Sequence, residues 1–153
     1  MYKRQVVGHQ IVSGIQFPWP KIPEIVRWHH ERADGSGYPD GLLMSEVPLA
    51  ARIIGLADTF DAMTSTRPYR EPLTVGGTLS ELVRLAPEKY DPNAVQALLI
   101  QVRRDSVGSS RASLLDDRMA VNIAPTDIDL LAAGLQHKVN RGRLILTPPS
   151  TSS

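Results

Sequence analysis

Cysteine is absent from all 153 residues, which excludes disulfide bridges and thiolate metal sites and fits a reducing cytoplasm. An excess of either charge is also lacking, because 17 basic residues nearly balance 16 acidic ones, whereas a general nucleic-acid binder carries a basic excess. No run approaches the roughly 18 apolar residues of a membrane span, and no signal peptide opens the chain. We therefore expect a cytoplasmic globular protein without a membrane segment or general nucleic-acid binding.

Apolar residues recur mainly at helical spacing, and proline, glycine and capping residues divide them into segments. The pattern predicts helices over residues 22–30, 48–66, 74–85, 92–102 and 126–139, with Asp91 and Thr126 as N-caps. Residues 143–147 alternate weakly and are compatible with a short edge strand. The fold class that we predict is all-α, a helical bundle.

Any metal in this chain must be held by imidazoles and carboxylates, and there are four histidines to consider: His9, His29, His30 and His137. His29 and His30 are adjacent on the apolar face of their predicted helix, just before a glycine-rich acidic loop. As packing residues, each would need its own buried hydrogen-bond partner. As metal ligands, they suit iron, manganese or zinc. The residues alone leave both alternatives open.

The predicted long helix adds Asp58 and Asp61, which share one stripe and have apolar neighbours in the sequence. A carboxylate buried among apolar side chains must be paired, hydrogen-bonded or bound to a cation. A salt bridge and a metal ligand are both compatible with this pattern. Arg67 and Arg70 follow on either side of Pro-Tyr, and two guanidinium groups so placed suit phosphate oxygens.

Three segments together resemble the HD-GYP domain family. Residues 29–39 read HHERADGSGYP and resemble its HHExxDGxGYP signature. Residues 56–65 with RPYR at 67–70 resemble the next block of the family, and residues 90–92 resemble the start of its closing helix. The resemblance implies an all-α bundle of the HD type, around divalent metal ions that are commonly iron or manganese. It also implies hydrolysis of cyclic di-GMP to pGpG or GMP in bacterial signal transduction, often downstream of a receiver or sensor domain.

The resemblance also implies roles for individual residues. His29, His30 and Asp58 occupy positions of metal ligands, whereas Asp61 receives no definite role. Tyr38 lies in the loop that contacts substrate, and Arg67 and Arg70 occupy positions that bind its phosphates.

The sequence departs from the family pattern in its N-terminal part. It has neither the family's His-Asp dyad nor the lysine that follows it, so no catalytic residue is assigned, and Arg4 stands where a further ligand histidine is expected. We therefore expect a bundle incomplete at its N-terminus, and a chain that alone does not hydrolyse cyclic di-GMP at a useful rate. The alternatives are a non-catalytic module that binds cyclic di-GMP or a protein, and a phosphohydrolase of another nucleotide.

The predicted organisation has five parts. Residues 1–5 are expected to be a non-native scar, and residues 6–104 the C-terminal part of an HD-GYP domain. Residues 105–125 are expected to be a linker, residues 126–147 a helix with the possible strand, and residues 148–153 a disordered tail.

Overall fold

The computed structural model of the chain describes residues 3–69, 71–107 and 123–146. These residues form six α-helices and no strand, which confirms the all-α prediction. In chain order the helices are α1 (Lys3–Ser13), α2 (Ile22–Trp28), α3 (Leu49–Thr64), α4 (Val75–Leu85), α5 (Pro92–Ser106) and α6 (Pro125–Leu146). None of these helices is both long enough and apolar enough to cross a membrane.

The helices pack in two groups that meet at α3. Helix α1 packs on α2, and α2 packs on α3, whereas α3, α4 and α5 contact one another and α6 lies across α4 and α5. The core lies within the second group, and burial of each large apolar side chain there contributes about 1.5–3 kcal/mol. Its buried members are Leu56, Phe60, Val75, Leu79, Leu82, Val83, Ala86, Tyr90, Ala94, Val95, Leu99, Val102, Ile128 and Leu135.

Side-chain caps define the starts of α4 and α5, and the predicted N-cap Asp91 is confirmed. The hydroxyl of Thr74 accepts a hydrogen bond from the backbone N–H of Gly77 at 3.1 Å. Asp91 accepts one from the N–H of Asn93 at 2.9 Å, and Pro92 follows as the first helical residue. The buried Asp91 carboxylate also accepts a 2.6 Å bond from Arg52 Nη1, so this cap ties α5 to α3.

Helix α6 docks on the core through one apolar face. Ile128 and Leu135 are buried in the core, and Leu131 packs against it while half-buried. Val139, further along the same face, is also half-buried.

A lysine of α6 joins that helix to the end of α4. Lys138 Nζ donates hydrogen bonds to the carbonyl oxygens of Val83, Arg84 and Ala86, at 3.2, 2.7 and 2.9 Å. The last carbonyls of a helix have no partner within the helix, and a cation at that end is favoured by the helix dipole. Lys138 therefore caps α4 from another helix.

The N-terminal residues from Lys3 onward are part of the fold. Helix α1 begins at Lys3 and buries Gln5, and the origin of residues 1–5 as a non-native scar stays a prediction. Tertiary packing supplies most of a helix's stability. That packing is close, since a Cβ added to Gly8 would lie 3.2 Å from the side chain of Val26 on α2.

The C-terminal boundaries also differ from those predicted. Helix α5 continues through Ser106, into the predicted linker. Helix α6 starts at Pro125, where the Ala124 carbonyl accepts from the N–H groups of Asp127 and Ile128, so Thr126 is not the N-cap. It continues to Leu146, so the strand is wrong for residues 143–146, which have no neighbouring strand to pair with in the described ranges. The remaining linker residues 108–122, residue 147 and the tail 148–153 lie outside the described residues.

Candidate functional site

His29 and His30 lie at the end of α2 rather than on its face, which corrects the prediction. The helix ends at Trp28, His29 is its C-cap, and His30 lies one residue beyond. Both side chains are half-buried, and the centroids of their rings are 4.2 Å apart. His29 Nδ1 is 2.9 Å from the Val26 carbonyl oxygen. A proton on Nδ1 would be donated to that carbonyl and leave Nε2 free as a ligand.

The position of His29 depends on a close contact with α3. A Cβ added to Gly55 would clash with the carbonyl oxygen of His29, far inside normal contact distance. Only glycine permits this approach of the two backbones. Gly55 therefore sets where the end of α2 and both imidazoles lie relative to α3.

The pKa of His30 is held below its ordinary value of 6.5. Burial is the main cause, the neighbouring His29 adds to it, and Asp58 acts in the opposite direction. The neutral imidazole that results is the form that binds a metal ion.

Glu31 organises the loop that follows the two histidines. Its buried carboxylate accepts hydrogen bonds from the backbone N–H groups of Asp40, Gly41 and Leu42, at 2.7, 3.1 and 3.0 Å. A buried carboxylate is stable when it accepts several such bonds. No role was predicted for Glu31, for which an acidic residue close before a glycine-rich loop was the available signal.

Asp34 and Lys89 hold the same loop against the segment between α4 and α5. Lys89 Nζ donates to Asp34 at 2.5 Å and to the hydroxyl of Ser36 at 2.8 Å, and Ser36 donates to Asp34 in turn. The hydrogen bond from Lys89, with those from Ser36, holds the pKa of Asp34 well below its ordinary 3.8. Lys89 is a second residue whose role was not predicted.

Tyr38 lies against His30, as a loop residue close to the imidazole pair. The rings are stacked with centroids 4.9 Å apart and an angle of 22° between their planes. The backbone N–H of Tyr38 donates to the His30 carbonyl at 3.4 Å. The structure therefore brings together three of the predicted site residues: His29, His30 and Tyr38.

The carboxylates of α3 are less buried than their sequence neighbours suggested. Asp58 and Asp61 are both exposed, although Asp58 is near enough to act on the charge of His30. Asp61 accepts a 3.2 Å hydrogen bond from the hydroxyl of Ser65. The expectation that apolar side chains bury them is wrong, because those side chains face α5.

The apolar neighbours line a groove between α3 and α5 instead. The groove has a volume of about 570 Å³ and mainly apolar walls from both helices. Its lining residues are Leu49, Ile53, Leu56, Ala57, Phe60, Asp61, Asn93, Ala94, Ala97, Leu98 and Gln101. This composition does not suit an anionic phosphate, which requires cationic or N–H donors.

Of the two arginines predicted to bind phosphate, one lies in the part of the chain that the structure describes. Arg67 is exposed, and Tyr69 beside it is 99% exposed. Arg70 lies outside the described residues. The role of these arginines as phosphate ligands stays a prediction.

The donor set fits a metal ion in part. Two neighbouring imidazoles, one of them with Nδ1 on a backbone carbonyl, are donors that divalent iron, manganese or zinc accept. Within residues 3–69, 71–107 and 123–146, however, no three histidine or acidic side chains are grouped closely enough to hold an ion. The pair therefore offers two donors of a kind that metal ions accept, and the roles of His29, His30 and Asp58 as ligands stay predictions.

Comparison with known proteins extends the sequence resemblance. The HD domain family matches residues 1–94. The chain is 42% identical over 100 residues to the cyclic di-GMP phosphodiesterase response regulator RpfG of Xanthomonas campestris, which covers 65% of this chain and 26% of that protein. It is 40% identical over 100 residues to a cyclic di-GMP phosphodiesterase of Thermotoga maritima, covering 65% and 27% of the two chains.

A third relative bears a different substrate name. The chain is 39% identical over 93 residues to 3'3'-cGAMP-specific phosphodiesterase 2 of Vibrio cholerae, which covers 61% of this chain and 17% of that protein. The chain thus spans about a quarter of the length of the first two relatives and less of the third. With the matched residues 1–94 and these relatives, the chain belongs to the HD domain family and, within it, to the HD-GYP type.

Proposed function

We propose that this chain is part of a metal-dependent phosphodiesterase that hydrolyses cyclic di-GMP to pGpG or GMP in bacterial second-messenger signalling. The observation that carries the proposal is the cluster of His29, His30 and Tyr38, with a loop residue stacked on a paired imidazole. The names of the relatives support this substrate class.

In this proposal the imidazoles of His29 and His30 and the carboxylate of Asp58 hold a divalent cation, most simply iron or manganese. When bound, such a cation lowers the pKa of water and neutralises charge on a phosphoryl oxygen. Tyr38 orients the substrate beside the imidazoles, and Arg67 and Arg70 bind its phosphates through their paired N–H groups.

The wider setting is also proposed. A receiver or sensor domain in the same polypeptide fits the response-regulator name of one relative, and a cytoplasmic location is proposed together with cyclic di-GMP as the ligand. Hydrolysis of 3'3'-cGAMP is the nearest variant of the reaction, because a relative named for that substrate is similar over much of the chain.

A non-catalytic cyclic di-GMP-binding module is the second candidate. It is favoured by the partial donor set of the described residues. A module of this kind would bind the nucleotide through Tyr38 and the arginines without turnover.

Calorimetric titration and a hydrolysis assay test the proposal together. We expect the 153-residue chain to bind Mn²⁺, and we expect His29→Ala and His30→Ala to weaken that binding by about tenfold or more, as loss of a ligand does. His137→Ala is the matched control, since His137 is exposed on α6, and it should bind Mn²⁺ like the wild type.

Hydrolysis is measured with cyclic di-GMP and 3'3'-cGAMP, with Mn²⁺ or Fe²⁺, by chromatography of the products. We expect turnover by the complete gene product and little by the 153-residue chain, because a site that stabilises both reacting oxygens needs more ligands than the described residues group together. Binding of nucleotide without turnover by the complete gene product would favour the non-catalytic module. Unchanged Mn²⁺ binding in both histidine variants would contradict the proposed site.

A further inference from the structure

Asp40 joins the end of the loop that contains Tyr38 to the last turn of α2. Arg27 donates to both carboxylate oxygens of Asp40, from Nε and Nη2, each at 2.7 Å. The indole Nε1 of Trp28 donates to the same carboxylate at 2.7 Å. A bidentate guanidinium pair with a third donor fixes direction as well as distance.

In the sequence, the two donors and the carboxylate lie on either side of the candidate site residues. Arg27 and Trp28 directly precede the two histidines, and Asp40 lies two residues after Tyr38. The stacked rings of His30 and Tyr38 therefore lie within a segment whose two ends are bonded to each other.

The loop has two other carboxylate anchors, and each holds something different. Glu31 bonds the backbone that follows Tyr38, and Asp34 bonds Lys89 beyond α4. Of these three carboxylates, Asp40 is the one bonded to α2 side chains next to the imidazoles.

From this arrangement we propose that Asp40 is a positioning residue, which holds the ring of Tyr38 against His30 by fixing the loop to Arg27 and Trp28. A second part of the inference rests on the proposed function: Asp40 also raises the affinity of the protein for the cyclic dinucleotide, since a displaced Tyr38 would weaken its binding.

The ion pair between Arg27 and Asp40 is partly exposed, so its role in positioning the loop can be tested apart from the stability of the fold. The side chains of Arg27 and Asp40 are 26% and 32% exposed. Ion pairs this open to solvent contribute little to the free energy of unfolding. Loss of the pair should therefore move the loop while the helical core stays folded.

The test compares Asp40→Asn and Asp40→Ala with a matched control, Glu81→Gln. Glu81 also forms a bidentate pair with an arginine, Arg84, at 2.7 and 2.6 Å, and its side chain is 33% exposed. This second pair lies within α4, away from the loop. Each variant is first checked for a wild-type thermal unfolding transition.

Nuclear magnetic resonance then reports the geometry directly. The wild type should show cross-relaxation between the ring protons of His30 and Tyr38. The chain has two tryptophans, so Trp19→Phe assigns the indole N–H of Trp28. In both Asp40 variants we expect the ring contact to be lost and the indole N–H to exchange with solvent roughly tenfold faster or more, as it does when a protecting bond is removed.

Glu81→Gln should leave both signals at their wild-type values. Persistence of the His30–Tyr38 contact in folded Asp40→Ala would overturn the proposal, as would an equal loss of that contact in Glu81→Gln.

Kinetic measurements with cyclic di-GMP separate this inference from the proposed function. In the complete gene product we expect Asp40→Asn to raise KM for cyclic di-GMP about tenfold and to change kcat less, as expected when binding geometry is lost. If the wild type neither binds nor hydrolyses any cyclic dinucleotide, the proposed function fails, and the ring contact still decides the positioning role. If the contact is lost and KM is unchanged, the extension to affinity is wrong.

Discussion

Substitution of Gly55 by alanine should destabilise the protein, although helix propensity alone predicts the opposite. In the interior of α3, alanine is favoured over glycine by about 1 kcal/mol. The added Cβ, however, would clash with the carbonyl oxygen of His29. Since a Cβ essentially never comes closer than 3.0 Å to another heavy atom, α3 and the end of α2 must separate by about 1 Å.

The magnitude follows from what the clash involves. Overpacking costs typically 1–3 kcal/mol, and a backbone oxygen cannot rotate away as a side chain can, so the upper part of this range applies. After the gain in propensity, we expect a net loss of about 2 kcal/mol in the free energy of unfolding. That is a large fraction of the roughly 5–15 kcal/mol that holds a domain folded.

The assay is urea unfolding followed by circular dichroism, with Gly134→Ala as the matched control. A Cβ at Gly134 in α6 would meet nothing within 4 Å, so this variant should gain about 0.5–1 kcal/mol. The two substitutions are chemically identical and should have opposite signs. An increase in stability for Gly55→Ala similar to that for Gly134→Ala would refute the close contact between α3 and His29.

Two further predictions concern the core and the loop. Leu135→Ala should lower the free energy of unfolding by about 2–5 kcal/mol, because Leu135 is 2% exposed. Leu130 is 71% exposed, so Leu130→Ala should change the free energy of unfolding by no more than about 0.5 kcal/mol. Equal effects of the two substitutions in urea unfolding would contradict the docking of α6. Because the Lys89 hydrogen bond lowers the pKa of Asp34 from 3.8, the stabilisation is present above that pH and is lost as the pH falls below it. Asp34→Asn should therefore flatten the fall in melting temperature between about pH 4 and pH 2, and an unchanged slope would show that the bond makes no contribution.

Sequence patterns located the helices well where the signal is local. The start of α5 follows from Asp91 with Pro92, because a cap and its helix are neighbours in the chain. The end of α2 was placed too late, since the fold places Gly55 of a distant helix against His29. A contact of this kind leaves no periodic trace near the histidines.

The residues of the candidate site also divide into those that the sequence identified and those that it did not. The adjacent histidines and the tyrosine of the loop were identified from their motif, and they lie together. The burial of Asp58 was misjudged because helical periodicity shows which residues share a face but not what covers that face. Glu31 was missed because its three partners are backbone N–H groups, which any sequence would supply.

The hydrogen bonds of Lys138 separate the evolutionary unit from the folding unit. The family match ends at residue 94, near the start of α5, yet Lys138 closes the end of α4 from α6. A segment cut at the family boundary and exchanged between relatives would leave three carbonyl groups uncapped and the core open where Ile128 and Leu135 now pack. Chimaeras built from this protein should therefore carry α6 together with the matched residues.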